Sequence, residues 1–275
     1  MKILTYATHE TGYFLALTES LKRYNYDLIV LGQGDKWYGL LQKLVSLKNY
    51  LSENQSNEVI CFVDAYDVIF LDNPKKLEQW FLKQDSNKVY FSATRDNFTT
   101  RQVFSKIASQ DRNKIFNRLN SGCFIGFRDV IYNLLCDLDK EYDFSNLQQN
   151  DQEIVSKYYS SKKFSNITLD CDSEVFYNLE WNTNPINALY FFSDKVAIKQ
   201  PLKSIHYKFN NNKLFVKKSR TYPIVLHGNG NANLDSFTQA LELPSKNEEN
   251  RNYYGYSTTT YFNQIKYKFT IQSTV

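Results

Sequence analysis

The sequence has 275 residues, which is long enough for one large α/β domain or at most two small ones. Hydrophobic residues make up 42% of it and charged residues 23%, so we expect a packed core and not a disordered chain. The net charge is +4, without the dense, one-sided basic run that is typical of nucleic-acid-binding proteins. We therefore expect no nucleic-acid partner.

No targeting or membrane-spanning segment is predicted from the sequence. The N-terminus enters an apolar segment directly, without the basic region, apolar region and cleavage site of a signal peptide. No apolar run approaches the roughly 20 residues that a helix needs to cross a bilayer. The four cysteines form no C-x-x-C pair, so neither a zinc site nor a disulfide framework is indicated. We expect a soluble protein, cytoplasmic or of undetermined localisation, with no membrane partner.

Short apolar runs alternate with helical patterns, which is typical of a mostly parallel sheet covered by helices. The predicted strands are residues 3–7, 28–31, 58–63, 89–92, 123–127, 167–169, 188–192 and 224–227. The predicted helices are residues 12–23, 40–52, 74–82, 130–138 and 152–159. Basic residues between positions 203 and 220 alternate with apolar ones, as on exposed strand faces.

The composition of the chain divides it into two segments, residues 1–245 and residues 246–275. Residues 1–245 contain no linker rich in Pro, Gly or Ser, so we assign them to one α/β domain. Residues 246–275 are polar at first and then rich in Tyr and Thr. We expect them to form a C-terminal extension of strand or extended type, and a candidate contact for a homodimer.

The strongest local feature is the apolar run Val59–Val63, which is followed by Asp64 and, three residues later, by Asp67. Ligands of open α/β sheets bind at the carboxyl ends of the strands. Hard cations such as Mg²⁺ and Mn²⁺ prefer carboxylate and phosphate oxygens, and they can neutralise a departing diphosphate. The alternative is an ordinary turn or helix cap, where Asp is also common.

A second apolar run ends in His227, which is followed by Gly228, Asn229 and Gly230. Imidazole is the commonest metal-ligating side chain, and the glycines would allow the backbone to approach a phosphate. The alternative is a hydrogen-bonded core histidine before a loop. The chain has only three histidines, which gives weight to one placed at a strand end.

Two further polar segments flank apolar elements. The residues Asn120, Ser121 and Gly122 precede the predicted strand 123–127 and read as a turn that could present a side chain to a sugar. Asn150 and Asp151 stand where a helix begins, and either of them would serve as its N-cap.

In this order, these segments resemble the N-terminal glycosyltransferase domain of the multifunctional procollagen lysyl hydroxylases, the collagen glucosyl- and galactosyltransferases. The matching segments are LTYATHETG (4–12), LGQGDKW (31–37), FVDAYDVIF (62–70), FSA (91–93), LNSGCFIGF (119–127), NDQ (150–152) and PIVLHGNG (223–230). The resemblance implies a GT-A type, Rossmann-like α/β fold with a mixed sheet flanked by helices.

The resemblance also implies roles for single residues. Asp64 and Asp67 look like the DxxD motif that binds Mn²⁺, with His227 as the third protein ligand. Asn120 and Asp151 match the catalytic polar residues around the transferred sugar. The donor-binding positions are Thr8 and Tyr66 at the uridine, Trp37 and Lys43 near the donor sugar and diphosphate, and Asn229 and Gly230 in the loop that closes on the phosphates.

The activity that the resemblance implies is transfer of glucose from UDP-glucose to galactosyl-hydroxylysine of a collagen-like protein, with retention of the anomeric configuration. Two alternatives stay open. One is transfer of galactose or another UDP-bound sugar to hydroxylysine or to a glycan. The other is a non-catalytic UDP-sugar-binding scaffold.

The sequence departs from the family pattern at three places. Of the family's run of aspartates only Asp151 is kept, so its role as a nucleophile or as a stabiliser of an oxocarbenium-like centre stays open. Phe98 stands where the family has a mobile tryptophan, and the loop between Trp37 and Lys43 is shorter. Three histidines offer no iron triad, so we expect a stand-alone transferase without the hydroxylase part.

Overall fold

The computed structural model of the chain describes residues 1–95, 116–161, 166–179, 200–229 and 232–247. The strands are β1 (Lys2–Tyr6), β2 (Leu28–Leu31), β3 (Val59–Val63), β4 (Val68–Phe70), β5 (Val89–Arg95), β6 (Phe116–Phe127), β7 (Ile167–Asp170), β8 (Phe176–Asn178), β9 (Tyr207–Asn210), β10 (Lys213–Val216) and β11 (Val225–His227). The helices are α1 (Phe14–Lys22), α2 (Gln42–Glu53), α3 (Pro74–Phe81), α4 (Arg128–Tyr142), α5 (Asp151–Ser160) and α6 (Asp235–Ala240).

The central sheet has six strands in the order β2-β1-β3-β6-β5-β7. Strand β6 runs antiparallel to both β3 and β5, whereas the other neighbouring strands pair in parallel. The predicted α/β class, with a mixed sheet flanked by helices, is therefore confirmed. All five residues of β3 are buried, as its uninterrupted apolar sequence predicts for a strand covered on both faces.

An aromatic layer packs across the middle of this sheet. The ring of Phe124 on β6 stacks on Phe62 of β3 at 5.2 Å and on Phe91 of β5 at 4.8 Å between centroids. The register places these three residues opposite one another on adjacent strands. Their packing holds together the strands that end near the acidic residues of the predicted site.

Strand β6 corrects one prediction from the sequence. Asn120, Ser121 and Gly122 were expected to form a turn before a strand, but they lie inside a single strand of 12 residues. The pairing with β5 shifts here, because Phe91 faces Phe124 while the next residue, Ser92, faces Asn120. The polar residues are accommodated by this irregularity, which re-aims their side chains without ending the strand.

A second sheet of three strands, in the order β4-β11-β8, holds the predicted histidine. Strand β11 lies in the middle, antiparallel to β4 and parallel to β8. Neither β4 nor β8 was predicted, because each has only three residues and is fully buried, so no alternation reveals it. The strand predicted at residues 188–192 lies outside the described residues.

Strands β9 and β10 form a separate antiparallel hairpin. Buried and exposed residues alternate along β9, which agrees with the exposed strand face predicted for this basic segment. The described part of the chain contains no helix whose length and hydropathy would suit a membrane crossing.

Candidate active site

The two predicted acidic ligands lie in the short connection between β3 and β4. The backbone N–H of Asp64 donates to the carbonyl oxygen of Gly122 on β6 at 2.7 Å. The carbonyl oxygen of Asp67 accepts from the N–H of Gly228 at 2.7 Å. The backbone of each acidic residue is therefore fixed by a hydrogen bond to a different part of the fold, and not by the spacing of the motif alone.

His227, the last residue of β11, completes a compact group with these carboxylates. Its Nε2 lies 3.3 Å from Asp67 Oδ2 and 3.9 Å from Asp64 Oδ2. One candidate ligand atom from each of the three residues lies within 4.8 Å of the others. The group comes from two sheets, because β11 pairs with β4 immediately after Asp67.

The geometry of this group fits a divalent cation. Ligand atoms that coordinate one small cation at about 2.1 Å lie roughly 3–4 Å apart, close to the separations here. A β-carbon at Gly122 would lie only 2.4 Å from His227 Cε1 and 2.7 Å from Asp64 Oδ2. The absence of a side chain at position 122 therefore leaves the space between the candidate ligands open. Two carboxylates and one imidazole are a donor set that suits Mn²⁺.

The protonation of the group reflects its burial and its charges. Burial lowers the pKa of His227, but the neighbouring carboxylates of Asp67 and Asp64 raise it by more, so the pKa lies above its ordinary value. Burial also raises the pKa of Asp64, against the opposing effect of Lys43. A cation bound here would compete with the proton on His227.

Lys43, near the start of α2, links the acidic group to Asp151. Its Nζ lies 2.8 Å from Asp64 Oδ1 and 2.8 Å from Asp151 Oδ2. Burial lowers the pKa of Lys43, yet the two carboxylates outweigh it and raise the pKa above its ordinary value. A cation at the N-terminal end of a helix is disfavoured by the helix dipole, so these two ion pairs account for its position.

Asp151 is the first residue of α5, and its side chain points inward. Asn150 is the N-cap, since its side chain accepts from the N–H of Glu153. Of the two residues predicted as possible N-caps, Asn150 therefore fills this role and Asp151 does not. The Asp151 carboxylate is almost fully buried, accepts from Ser121 Oγ at 2.6 Å and pairs with Lys43. It is thus free of the capping role and belongs to the site.

Asn120 lies beside the acidic group, on the irregular part of β6. Its Oδ1 accepts from Ser92 Oγ at 3.0 Å and from the N–H of Gly122 at 3.0 Å. The neighbouring Ser121 is tied to α5 as well, because its N–H donates to Gln152 Oε1 at 2.7 Å. The side chains of Asn120 and Asp151 are therefore held on one wall of the site.

Thr8 and Tyr66 meet on the opposite side of the connection between β3 and β4. The backbone N–H of Thr8 donates to the hydroxyl of Tyr66 at 2.9 Å. Trp37 lies in the loop between β2 and α2, with its ring 6.1 Å from that of Tyr6 and partly buried against the core. This loop is tied to the segment before α5, since Gln148 donates to the carbonyl oxygen of Tyr38.

Asn229 and Gly230 were also predicted to bind the donor. Asn229 follows Gly228, whose N–H holds Asp67, and its side chain is partly exposed. Gly230 lies outside the described residues, and so does Phe98.

The structure adds two residues to which the sequence analysis assigned no role. Ser121 donates to Asp151, and Asn178 at the end of β8 contacts His227 Nδ1 through its Oδ1 at 2.7 Å. Ser121 stands in a segment that carries the resemblance, which is a signal that could have pointed to it. Asn178 is a single polar residue in a short apolar run, and no spacing connects it to His227.

The chain is similar to a known protein family and to proteins that contain it. Residues 1–243 match a family model described as the PLOD GT domain. The chain is 31% identical over 241 residues to procollagen-lysine,2-oxoglutarate 5-dioxygenase 1 of Mus musculus. It is 28% identical over 243 residues to the multifunctional procollagen lysine hydroxylase and glycosyltransferase LH3 of Homo sapiens.

These alignments cover 83% of this chain but only 30% and 29% of the two relatives, so the chain spans less than a third of their length. Among solved structures, the galactosyltransferase LgtC in complex with donor and acceptor sugar analogues is similar over 92% of this chain and 100% of that chain. The identity is 14% and the TM-score is 0.47.

Proposed function

The chain belongs to the PLOD GT domain family, and on that premise we propose that it is a metal-dependent glycosyltransferase that takes a hexose from a UDP-sugar. The observation that carries the proposal is the convergence of Asp64, Asp67 and His227, whose candidate ligand atoms lie within 4.8 Å of one another. They come from separate parts of the chain, and the resemblance to the family implies the same three residues as metal ligands.

The metal that we propose is Mn²⁺, with Asp64, Asp67 and His227 as its protein ligands. When bound, the cation neutralises the charge that develops on the departing diphosphate. The chain contributes to the same end through Lys43, whose ammonium group lies beside Asp64 and can approach a phosphate oxygen. Gly122 keeps the space for the cation and the diphosphate clear of side chains.

The donor would lie along the edge formed by the turn after β1 and the connection between β3 and β4. Thr8 and Tyr66 are in hydrogen-bond contact and are proposed to hold the uridine. Trp37 is proposed to cover the donor sugar or the diphosphate. Asn229 and Gly230 are proposed to close on the phosphates, where the N–H of Gly228 already anchors Asp67.

Asp151 and Asn120 are the proposed catalytic residues at the sugar end of the site. Ser121 and Lys43 hold the Asp151 carboxylate in place, and Ser92 and Gly122 hold the Asn120 carbonyl oxygen. A fixed carboxylate beside the anomeric carbon can act as a nucleophile or stabilise an oxocarbenium-like centre, and either role is compatible with retention.

We further propose UDP-glucose as donor and galactosyl-hydroxylysine of a collagen-like protein as acceptor. The support is similarity to a relative named as a procollagen-lysine dioxygenase and to one named as a procollagen lysine hydroxylase and glycosyltransferase. Because the chain spans less than a third of those relatives, the acceptor needs its own experiment.

The test is a screen of donors against acceptors. Purified protein is incubated with UDP-glucose, UDP-galactose or another UDP-sugar, with Mn²⁺ or with EDTA. The acceptors are a galactosyl-hydroxylysine peptide, the same peptide with bare hydroxylysine, and free glycans, and the products are identified by mass spectrometry. We expect one hexose to be added from UDP-glucose to the galactosylated peptide, only with metal, and not by Asp64→Asn.

Other outcomes separate the alternatives. Transfer to free glycans or from UDP-galactose alone would keep the glycosyltransferase and replace the acceptor or the donor. UDP-sugar binding without turnover on any acceptor would overturn the proposed activity in favour of a non-catalytic scaffold.

A further inference from the structure

We propose that Asn178 is a positioning residue that fixes the His227 ring with its proton on Nδ1 and its Nε2 lone pair directed at Asp64 and Asp67. The inference rests on the proposed metal site, and it assigns to the chain a residue that prepares this site before the cation arrives. Asn178 lies on β8, directly opposite His227 in the parallel pairing with β11.

The orientation of the Asn178 amide follows from its second contact. Its Nδ2 donates to the backbone carbonyl oxygen of Ala93 on β5 at 2.9 Å. A carbonyl oxygen can only accept, so this contact fixes which end of the amide faces β5. The Oδ1 atom therefore faces His227 Nδ1, at 2.7 Å. Because Oδ1 cannot donate, Nδ1 must carry the proton.

Each of the two ring nitrogens of His227 has an acceptor nearby, so either tautomer could form a hydrogen bond in this site. Asp67 Oδ2 lies 3.3 Å from His227 Nε2, close enough to accept a proton placed on that nitrogen. In the neutral ring, a proton on Nε2 would occupy the atom that faces the other two candidate ligands. Asn178 opposes this by offering Nδ1 the shorter hydrogen bond. A second contact that sets the tautomer of a ligating histidine is a general feature of metal sites.

Both partners of this hydrogen bond are buried. Asn178 is 1% exposed and His227 is 3% exposed, so water cannot take the place of the amide without rearrangement. The backbone around them is fixed as well, because the N–H of Leu179 donates to the carbonyl oxygen of His227 at 2.7 Å. A buried donor left without its acceptor loses its hydrogen bond without regaining one to water, so the native pairing is favoured.

A buried carboxylate at the end of β7 extends this support. Asp170 accepts from the backbone N–H groups of Glu174, Val175 and Phe176 at 2.8–2.9 Å. These hydrogen bonds shape the chain that leads into β8. Strand β8 then presents Asn178 to His227, so the backbone that carries the proposed positioning residue is itself held by hydrogen bonds.

The experiment compares Asn178→Ala and Asn178→Asp with the control Asn117→Ala. Asn117 is also a buried asparagine, but its Oδ1 has no hydrogen-bond partner among the described residues. The first readout is the tautomer of His227 in the metal-free protein, by ¹⁵N NMR at a pH where the ring is neutral. The chain has three histidines, so His9→Gln and His206→Gln suffice to assign the signals. The second readout is the Mn²⁺ dissociation constant, by isothermal titration calorimetry.

We expect a proton on Nδ1 in the wild type and a shift toward Nε2 in Asn178→Ala, with Mn²⁺ binding weakened by roughly 10–100-fold. Asn178→Asp, whose carboxylate can still accept, should keep the proton on Nδ1. Asn117→Ala should change neither readout. A folded Asn178→Ala protein that keeps either the wild-type tautomer or the wild-type Mn²⁺ affinity overturns the inference.

Two results would have to be interpreted separately: an Asn178→Ala variant that does not fold, and a wild-type protein that binds no Mn²⁺. If Asn178→Ala does not fold, Asn178→Asp decides, since loss of the Nδ1 proton in that folded variant contradicts the role. If the wild type binds no Mn²⁺, the proposed metal site fails, whereas the NMR result still decides whether Asn178 sets the tautomer.

Discussion

At the scale of the residue, the candidate site depends as much on Gly122 as on the charged side chains. The hydrogen atom of Gly122 points at the space between His227 and Asp64, and a β-carbon there would approach both below contact distance. Gly126, four residues further along the same strand, is also enclosed, but the nearest neighbours of a β-carbon there would be the apolar side chains of Ile131 and Val89 at 3.1 and 3.3 Å, and not a proposed ligand. The two glycines form a matched pair for mutation.

Gly122→Ala should therefore weaken Mn²⁺ binding by at least about 10-fold, because the added methyl group displaces two of the proposed ligands. Gly126→Ala adds the same group to the same strand and should bind Mn²⁺ like the wild type. Calorimetric titration of both variants, after thermal unfolding has shown that each is folded, measures the difference. Equal Mn²⁺ affinities in the two variants would contradict the proposed ligand positions.

Proton competition gives a second prediction at this scale. The pKa of His227 is raised above its ordinary value near 6.5, so at pH 6 the ring is protonated and must lose a proton to bind a cation. The apparent Mn²⁺ affinity should therefore fall as the pH falls from 8 to 6, approaching about tenfold per pH unit below the pKa of His227.

The control for this profile is His206→Gln. Burial lowers the pKa of His206 to about 4, so this ring is neutral throughout the range and its replacement should leave the profile unchanged. Mn²⁺ titrations at several pH values give the profile. An affinity that does not change between pH 8 and pH 6 would argue against His227 as a ligand.

At the scale of the element, β6 and α5 together form the catalytic wall. The pairing shift in β6 turns Asn120 and Ser121 toward the site, and the N-terminus of α5 brings Asp151 to meet them. The helix dipole favours a carboxylate in the first turn of α5. The same first turn carries Glu153, which is exposed and pairs with Lys157 on its own helix.

Asp151→Asn should lower kcat by about 10²–10⁴-fold if this carboxylate acts on the transferred sugar. Mn²⁺ binding should change little, because Asp151 is not a proposed metal ligand. Glu153→Gln removes a charge from the same turn and should leave kcat unchanged. Steady-state kinetics with the donor and acceptor found in the screen, together with Mn²⁺ titrations, test both statements. A kcat within twofold of the wild type in Asp151→Asn would remove it from the mechanism.

At the scale of the whole molecule, the end of the described chain pairs with the turn that follows β1. Asn247 pairs with Gly12 through two backbone hydrogen bonds of 2.8 and 3.0 Å, and its side chain donates to the carbonyl oxygen of Glu10. Gly12 has a φ of +59°, and a β-carbon there would lie 2.7 Å from the carbonyl oxygen of Tyr66. The first residues of the predicted extension thus buttress the turn that carries Thr8. The rest of the extension, from residue 248, lies outside the described residues.

A chain that ends at Asn247 should therefore keep the stability of the domain, whereas one that ends at Leu243 should lose about 2 kcal/mol, at roughly 1 kcal/mol for each of the two backbone hydrogen bonds. The shorter chain should also bind the UDP-sugar more weakly, because the turn around Thr8 loses its support. Thermal unfolding and UDP titration of the two chains measure these effects. Identical stability and UDP affinity would show that the pairing of Asn247 contributes nothing.

Light scattering of the chain that ends at Asn247, beside the full chain, tests the predicted homodimer. A smaller particle without residues 248–275 would assign the contact to the extension, and an unchanged size would remove that prediction.

The sequence by itself determined the α/β class, most of the strands of the central sheet and the identity of the acidic pair and the histidine. These features are encoded locally, since an apolar run predicts a buried strand and a polar residue directly after it lies at the sheet edge. Only the tertiary structure decided that Asp151 pairs with Lys43, that Gly122 keeps the site open, and that Asn178 contacts His227. Such contacts join residues far apart in the chain through short strands and a shifted pairing, for which no local pattern exists.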